Sequence, residues 1–176
     1  KKFLKPQSPY AEFKLKSEQM LKKMENRHGL KFVTCRLGTI FGTSIGIRFH
    51  TAVNKFCWQA VMGQPLTVWE TAMDQNRPYL GVNDAVKTIK FIIQNDLFDG
   101  QIYNIVSSNN TVRDIVEFIK ISFPDVNILK VKSKIMNQMS YHVLSDKIQN
   151  KGLELNDNIG NDILETVQLL KNINSN

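Results

Sequence analysis

The sequence predicts an α/β fold with parallel strand pairing, and two observations carry that expectation. Segments with a helical apolar period alternate along the chain with short runs rich in Val, Ile, Phe and Tyr. That order builds crossover units in which each helix covers the strands it joins. Hydrophobic residues make up 42% of the 176 positions and charged residues 22%. This is enough apolar surface for a packed core, and too little charge for a disordered chain.

The elements follow in order. Ser8 caps a helix expected over 8–26, with Pro9 in its first turn and Gly29 beyond its end. Residues 31–37 read as a strand, 38–46 as a glycine-punctuated loop and 51–62 as a second helix stopped by Gly63 and Pro65. A short strand at 66–69, a polar loop at 71–78 and another strand at 79–82 come next. Asp84 opens an amphipathic helix carrying Val86, Ile89, Ile92 and Ile93, with Asn83 as its cap. Asp99-Gly100 is a turn before a strand at 102–106. Thr111 caps a helix whose apolar face is Val112, Ile115, Val116 and Ile119. A strand at 126–131, a small helix near Asp146 and a last helix over 159–170 complete the pattern.

Composition excludes several classes. No run approaches the roughly 18 apolar residues a membrane helix needs, and Lys1 to Lys5 followed by Pro6 supplies no apolar secretory core. Cys35 and Cys57 lack CxxC spacing and sit among apolar neighbours, which reads as buried free thiols in a reducing cytoplasm. Two Cys and three scattered His do not make a four-ligand zinc site. The net charge of +7 comes from 23 Lys and Arg against 16 Asp and Glu. It is carried mainly by Lys interleaved with acids, so it argues for background lysine or a small anionic ligand over a nucleic-acid surface.

Two residues stand out chemically. Tyr10 and Lys14, four apart on the first helix, share one face. A phenol titrates near pH 10, about three units too high for proton transfer at neutrality. A neighbouring ammonium favours the phenolate.

The segment Ser8-Pro9-Tyr10-Ala11-Glu12-Phe13-Lys14 resembles the active-site helix of the extended short-chain dehydrogenase/reductase family, the NAD-dependent nucleotide-sugar epimerases and dehydratases. The resemblance continues in order. Arg36-Leu-Gly-Thr39-Ile-Phe41-Gly42 resembles the family's R-x-x-N-x-Y-G-P loop, and Gly63-Gln-Pro65-Leu-Thr-Val68 its G-x-P-L-x-V strand. Arg77-Pro-Tyr-Leu-Gly81-Val-Asn-Asp84-Ala resembles R-D-Y-x-H-V-x-D-x-A. Ile102-Tyr-Asn-Ile105 resembles the returning strand, and Asp146-Lys147 with Gly152-Leu153 resembles the final D-x-x-K…L-G-F region.

The resemblance implies roles. Tyr10 would be the acid-base, and Lys14 would bind the nicotinamide ribose and tune Tyr10. Leu37 and Gly38 would line the nicotinamide pocket, and Thr39 would take the place of a substrate-contacting Asn. His50 and Asn54 would lie along the nucleotide, and Arg77 would reach its diphosphate. Read from the residues alone, Arg36 serves equally as a structural ion-pair partner, His50 as a packing residue and Asp84 as a helix N-terminal charge, while Trp58 and Trp69 read as core. Gln138, Tyr141 and His142 lie where the family places a basic substrate contact, with Met139 interrupting the area. Thr39, Phe41, Thr43, Pro78 and Gly81 depart from the family's Asn, Tyr, Pro, Asp and His. These changes touch the sugar side and spare the Tyr10/Lys14 pair.

The implied fold is the C-terminal portion of a Rossmann-like NAD(P)-binding domain plus a small α/β substrate-binding lobe. Residues 1–47 would finish the first, and 48–176 would form the second, with 83–106 returning to the Rossmann-like sheet. NAD is the implied cofactor ahead of NADP, a nucleotide sugar the substrate, and a homodimer the assembly. Neither G-x-G-x-x-G nor G-x-x-G-x-x-G occurs, and Gly38, Gly42 and Gly46 are spaced by four. The glycine-rich N-terminal half is thus expected to be absent, the chain beginning Lys1-Lys2-Phe3 without Met. The alternative is a noncatalytic α/β module that binds an anion or nucleic acid, which predicts steeply salt-sensitive binding.

Overall fold

Ser8 is extended (φ −148°) and its side chain accepts from the Ala11 N–H at 3.2 Å, starting helix α1, Pro9–His28. Gly29 ends it in the left-handed region (φ 65°), where a residue without Cβ carries no penalty, and donates its N–H to the Glu25 carbonyl. The computed structural model describes residues 5–6, 8–132, 140–156 and 158–174. Gln138 and Met139 lie outside the described residues.

β1 (Thr34–Leu37) is shorter than the expected 31–37 strand. β2 (Thr39–Phe41) lies inside the segment expected to be loop. The reason is a switch of partner at Gly38. β1 pairs in parallel with β5 (Ile102–Ile105), and the Gly38 N–H still donates to the Ile105 carbonyl at 2.9 Å. One residue later β2 joins β4 (Asn76–Gly81), in parallel from Thr39 opposite Tyr79. A Cβ on Gly38 would stand 3.1 Å from the Pro78 carbonyl oxygen, tighter than ordinary contact, so glycine favours the close approach of the two backbones at this bend.

β4 starts three residues before the expected Tyr79, which brings Arg77 and Pro78 into a strand. Pro78 precedes the first β2–β4 pair, so its missing N–H falls where that ladder has not begun. On its other side β4 pairs antiparallel with β6, Ser108–Thr111. The all-polar Ser-Asn-Asn-Thr of β6 carries no hydrophobic alternation, which is why the sequence did not announce it.

β3 (Leu66–Trp69) pairs in parallel with β7 (Ile128–Val131). Helices α2 (Ala52–Val61), α4 (Val112–Ser122) and α6 (Ile159–Asn174) pack on one another. Thr111 and Asp114 form a reciprocal capping box at the start of α4. The expected face Val112, Ile115, Val116 and Ile119 is the buried one. The main core joins these helices through Val53, Phe56, Ile115, Ile119, Ile163 and Val167.

α3, Val82–Gln94, follows β4 directly and is capped by Gly81 rather than by Asn83. Asp84 is 5% exposed and works inside the fold. Its Oδ2 accepts from the Ser107 hydroxyl at 2.6 Å and from the Asn156 N–H at 2.9 Å. A smaller core of Leu80, Tyr103, Ile105, Ile148 and Leu153 sits beside β5, covered by the short helix α5, Asp146–Gln149. Among the described residues no helix is long and apolar enough to cross a membrane.

Candidate active site

Two adjoining cavities open at the N-terminal end of α2. One, of about 250 Å³, is walled by Thr39, His50, Lys55, Trp69, Gln75, Arg77 and Tyr79 among others. The second, of about 450 Å³, is walled by Thr39, Gly42, Arg48, His50 and Asn54 among others. Thr39, His50 and Thr51 belong to both. Residues far apart in sequence therefore line two neighbouring cavities, Arg77 the first, Asn54 the second, and Thr39 and His50 both. The β2–β4 pairing places Thr39 beside Tyr79, two positions along the strand from Arg77. The α2 N-terminus adds His50 and Thr51.

The side chains differ in what they offer. Arg77 donates from Nη2 to Gln75 Oε1 at 2.8 Å, and its guanidinium carbon lies 5.3 Å from the Tyr141 ring centroid, within cation–π range. Asn54 is only 4% exposed and its amide is turned onto the backbone. It accepts from the Gly42 N–H at 3.0 Å and donates to the Arg48 carbonyl at 3.1 Å. Asn54 thus clasps the 42–48 loop that forms the wall. His50 and Thr39 are exposed, and each lines both cavities. Burial pushes the Tyr79 phenol up to about 12, so it stays neutral and lines the wall as an aromatic.

Tyr10 and Lys14 meet as their spacing implies. Lys14 Nζ sits 5.5 Å from the centroid of the Tyr10 ring. Tyr10 is 71% exposed, and neither residue lines the two cavities. Leu37, half exposed, and Gly38 stand at the carboxyl end of β1, the end at which open α/β sheets take their ligands.

Arg36 is settled as structural. Its Nε and Nη2 donate to the two Glu18 oxygens at 2.8 and 2.6 Å, tying α1 to β1, and this partner raises the guanidinium's pKa further. Trp58 packs against the main core, but Trp69 is 46% exposed and lines the smaller cavity, a correction to its reading as core. Both cysteines are free. Burial pushes Cys57 up to about 12 and raises Cys35, so both are inert thiols. Among the described residues no cluster of three or more His, Cys, Asp or Glu could hold a metal.

Sequence reasoning missed Lys55, Trp69 and Gln75. Lys55 follows His50 by five residues on α2 and donates to the Thr67 carbonyl at 3.3 Å. Nothing in the chain distinguished it from 17 other lysines. Its significance comes from the β3 strand folding against α2.

Strands paired in parallel and joined through helices give this chain a Rossmann-like α/β fold. The model of the NAD dependent epimerase/dehydratase family matches residues 1–106, and the chain belongs to that family. Among solved structures, it is similar to the Thermus thermophilus UDP-glucose 4-epimerase complex with NAD, at 22% identity and a TM-score of 0.82, covering 95% of this chain and 55% of that one. It is also similar to the Bacillus anthracis dTDP-glucose 4,6-dehydratase in complex with NAD, at 19% identity and a TM-score of 0.84, covering 98% and 55%. These likenesses bear on the fold. Among curated relatives, a Sulfolobus acidocaldarius UDP-sulfoquinovose synthase is 25% identical over 129 residues, 64% of this chain and 33% of that protein. The chloroplastic enzyme of Spinacia oleracea is 36% identical over 73 residues, 40% and 15% respectively. The chain therefore spans about half the length of the similar solved structures and a third or less of these curated relatives.

Proposed function

We propose that this chain supplies the acid-base pair and the substrate lobe of an NAD-dependent nucleotide-sugar epimerase/dehydratase. The observation that carries this reading is the juxtaposition of Lys14 Nζ with the Tyr10 ring at the start of α1, in a chain whose residues 1–106 match the family. Tyr10, Lys14, Leu37 and Gly38 fit the nicotinamide-ribose end of NAD: an exposed phenol and ammonium, and a half-exposed leucine at a strand's carboxyl end. They do not fit the pyrophosphate, for which the sequence has no glycine fingerprint. The 176 residues alone therefore hold NAD weakly and do not turn over.

When bound, NAD supplies the group that accepts and returns a hydride. The work of this chain is proton transfer and positioning. Tyr10 Oη takes the proton of the sugar hydroxyl as the carbon is oxidised and returns it when the carbon is reduced. Lys14, its ammonium 5.5 Å from the Tyr10 ring centroid, donates to ribose hydroxyls. Arg77, held by Gln75 and Tyr141, and Lys55 present positive charge to the diphosphate in the smaller cavity. Thr39 and His50 face the sugar and nucleotide, and Asn54 holds the 42–48 loop that walls the second cavity.

The test uses the full-length protein. Tyr10→Phe should lower turnover by about 10²–10⁴-fold while NAD still binds. Near-normal turnover in that variant overturns the assignment. Arg77→Ala should raise KM for the nucleotide sugar more than it lowers kcat, since the diphosphate is held alike in ground and transition states.

A further inference from the structure

The polar side chains of β6 do more than pair that strand with β4. Asn109 and Val143 are tied in both directions. The amide of Asn109 donates from Nδ2 to the Val143 carbonyl and accepts at Oδ1 from the Val143 N–H, both at 2.9 Å. The chain on either side of Val143 is held in the same way. The Asn76 N–H donates to Ser140 Oγ at 2.9 Å, and the Tyr141 N–H donates to the Asn76 carbonyl at 3.2 Å. Asn104 Nδ2 donates to the Leu144 carbonyl at 3.2 Å. The buried Ser145 hydroxyl accepts from the Val106 N–H and donates to the Val106 carbonyl. Residues 140–145 are neither helix nor strand, yet they are laced along their length to β4, β5 and β6. Side-chain amides and hydroxyls take the place of a strand ladder, satisfying the backbone of the strap.

The strap carries Tyr141, whose ring is 42% exposed and lines neither cavity. It stands instead beside Arg77, with the guanidinium carbon 5.3 Å from its centroid. Arg77 does line the smaller cavity. Gln75 accepts from its Nη2 and is itself anchored, donating from Nε2 to the Thr71 carbonyl at 2.8 Å. A loose arginine must give up its rotamer freedom to hold an anion, and one already set gives up less. An aromatic neighbour suits that task. A carboxylate would take up the donors and the charge of the fork, whereas a ring attracts the cation through its face and leaves N–H groups for a ligand.

We propose, on the strength of the diphosphate role assigned to Arg77, that Tyr141 is a positioning residue which the 140–145 strap holds against the guanidinium, presetting it for the diphosphate. Tyr141 acts through Arg77 and touches no part of the ligand. Asn109, on β6 and outside both cavities, sets Arg77 by fixing the strap.

The test titrates UDP and uridine by calorimetry against the full-length protein, so that the difference between the two ligands reports the diphosphate. Tyr141→Ala should weaken UDP by about three- to tenfold and leave uridine unchanged. Tyr141→Phe, which keeps the ring, should bind both as the parent does. Asn109→Ala should weaken UDP alone, as Tyr141→Ala does. Arg77→Ala should weaken UDP by about tenfold or more, and adding Tyr141→Ala to it should cause no further loss. Equal weakening of UDP and uridine by Tyr141→Ala, a Phe variant as weak as the Ala variant, or additive losses in the double variant overturns the proposal. So does parental UDP binding by Tyr141→Ala while Arg77→Ala still weakens it. UDP binding that Arg77→Ala leaves intact overturns the diphosphate role of Arg77 itself, and the positioning role of Tyr141 falls with it.

Discussion

α6 and α1 are the two longest helices, at 16 and 20 residues, and they are stabilised in opposite ways. α6 buries Ile159, Ile163, Val167 and Leu170 against α2 and α4, while α1 buries nothing. The contrast extends to the regions around them. Among the described residues the core around α2, α4 and α6 joins sixteen buried side chains, and the core beside β5 joins five. Length and intrinsic propensity do not decide how firmly a helix is held, because most helical stability comes from packing one apolar face. α1 divides its apolar residues between two faces and packs neither fully. The region around α2, α4 and α6 is thus held by a packed core, whereas α1 is held by half-buried side chains and the Glu18–Arg36 tie.

The sharpest way to break this comparison is Ile163→Ala, at a position with 0% exposure. It should cost about 2–5 kcal/mol in urea unfolding. Met20→Ala, on the outer face of α1, should stay within about 0.5 kcal/mol. Equal costs would mean α1 is packed as tightly as α6. Next in size is Gly38→Ala. A Cβ 3.1 Å from the Pro78 carbonyl must push two strands apart at the bend, a loss of about 1–3 kcal/mol. Full stability in that variant would show that the bend has slack.

Glu18→Gln removes the two-pronged tie of α1 to β1. The Arg36 side chain is 36% exposed, so global stability should fall by only about 1 kcal/mol. Amide exchange in α1 should nevertheless quicken while α4 and α6 stay protected, because local openings are set by local contacts.

The smallest effect is a pH dependence at the start of α6. Burial, then Glu165 and Asp84, raise Asp162 from 3.8 to about 6. The folded state therefore favours the protonated acid, and this group's contribution is fully present below about 3.8 and lost as pH rises through about 6. Thermal unfolding midpoints should rise from pH 7 to pH 5, with the slope diminished in Asp162→Asn. An unchanged slope in that variant would place the titration elsewhere.

Much of this was legible in the chain. The α1 cap at Ser8, the α4 stripe and the Tyr10/Lys14 pairing are local, set by residues three or four apart. β2 and β6 were not legible, because Thr39-Ile-Phe and Ser-Asn-Asn-Thr become strands only when β4 lies between them. For the same reason Arg77 read as a loop residue and sits in a strand. Lys55 and Trp69 gained meaning only when α2 and β3 closed one cavity. Asp84 read as a helix-end charge, and the fold instead buries it to hold Ser107 and Asn156.

By itself the sequence determined the order of the helices and of five of the seven strands, the Ser8 and Thr111 caps, the phenol–ammonium pair and the family resemblance, since each rests on short-range spacing or ordered motifs. Only the tertiary structure decided which segments pair around β4, which polar groups line the cavities beside α2, and which apolar side chains of α1 stay exposed. Those outcomes depend on contacts between residues tens of positions apart, and no local period records which surfaces the closed chain will cover.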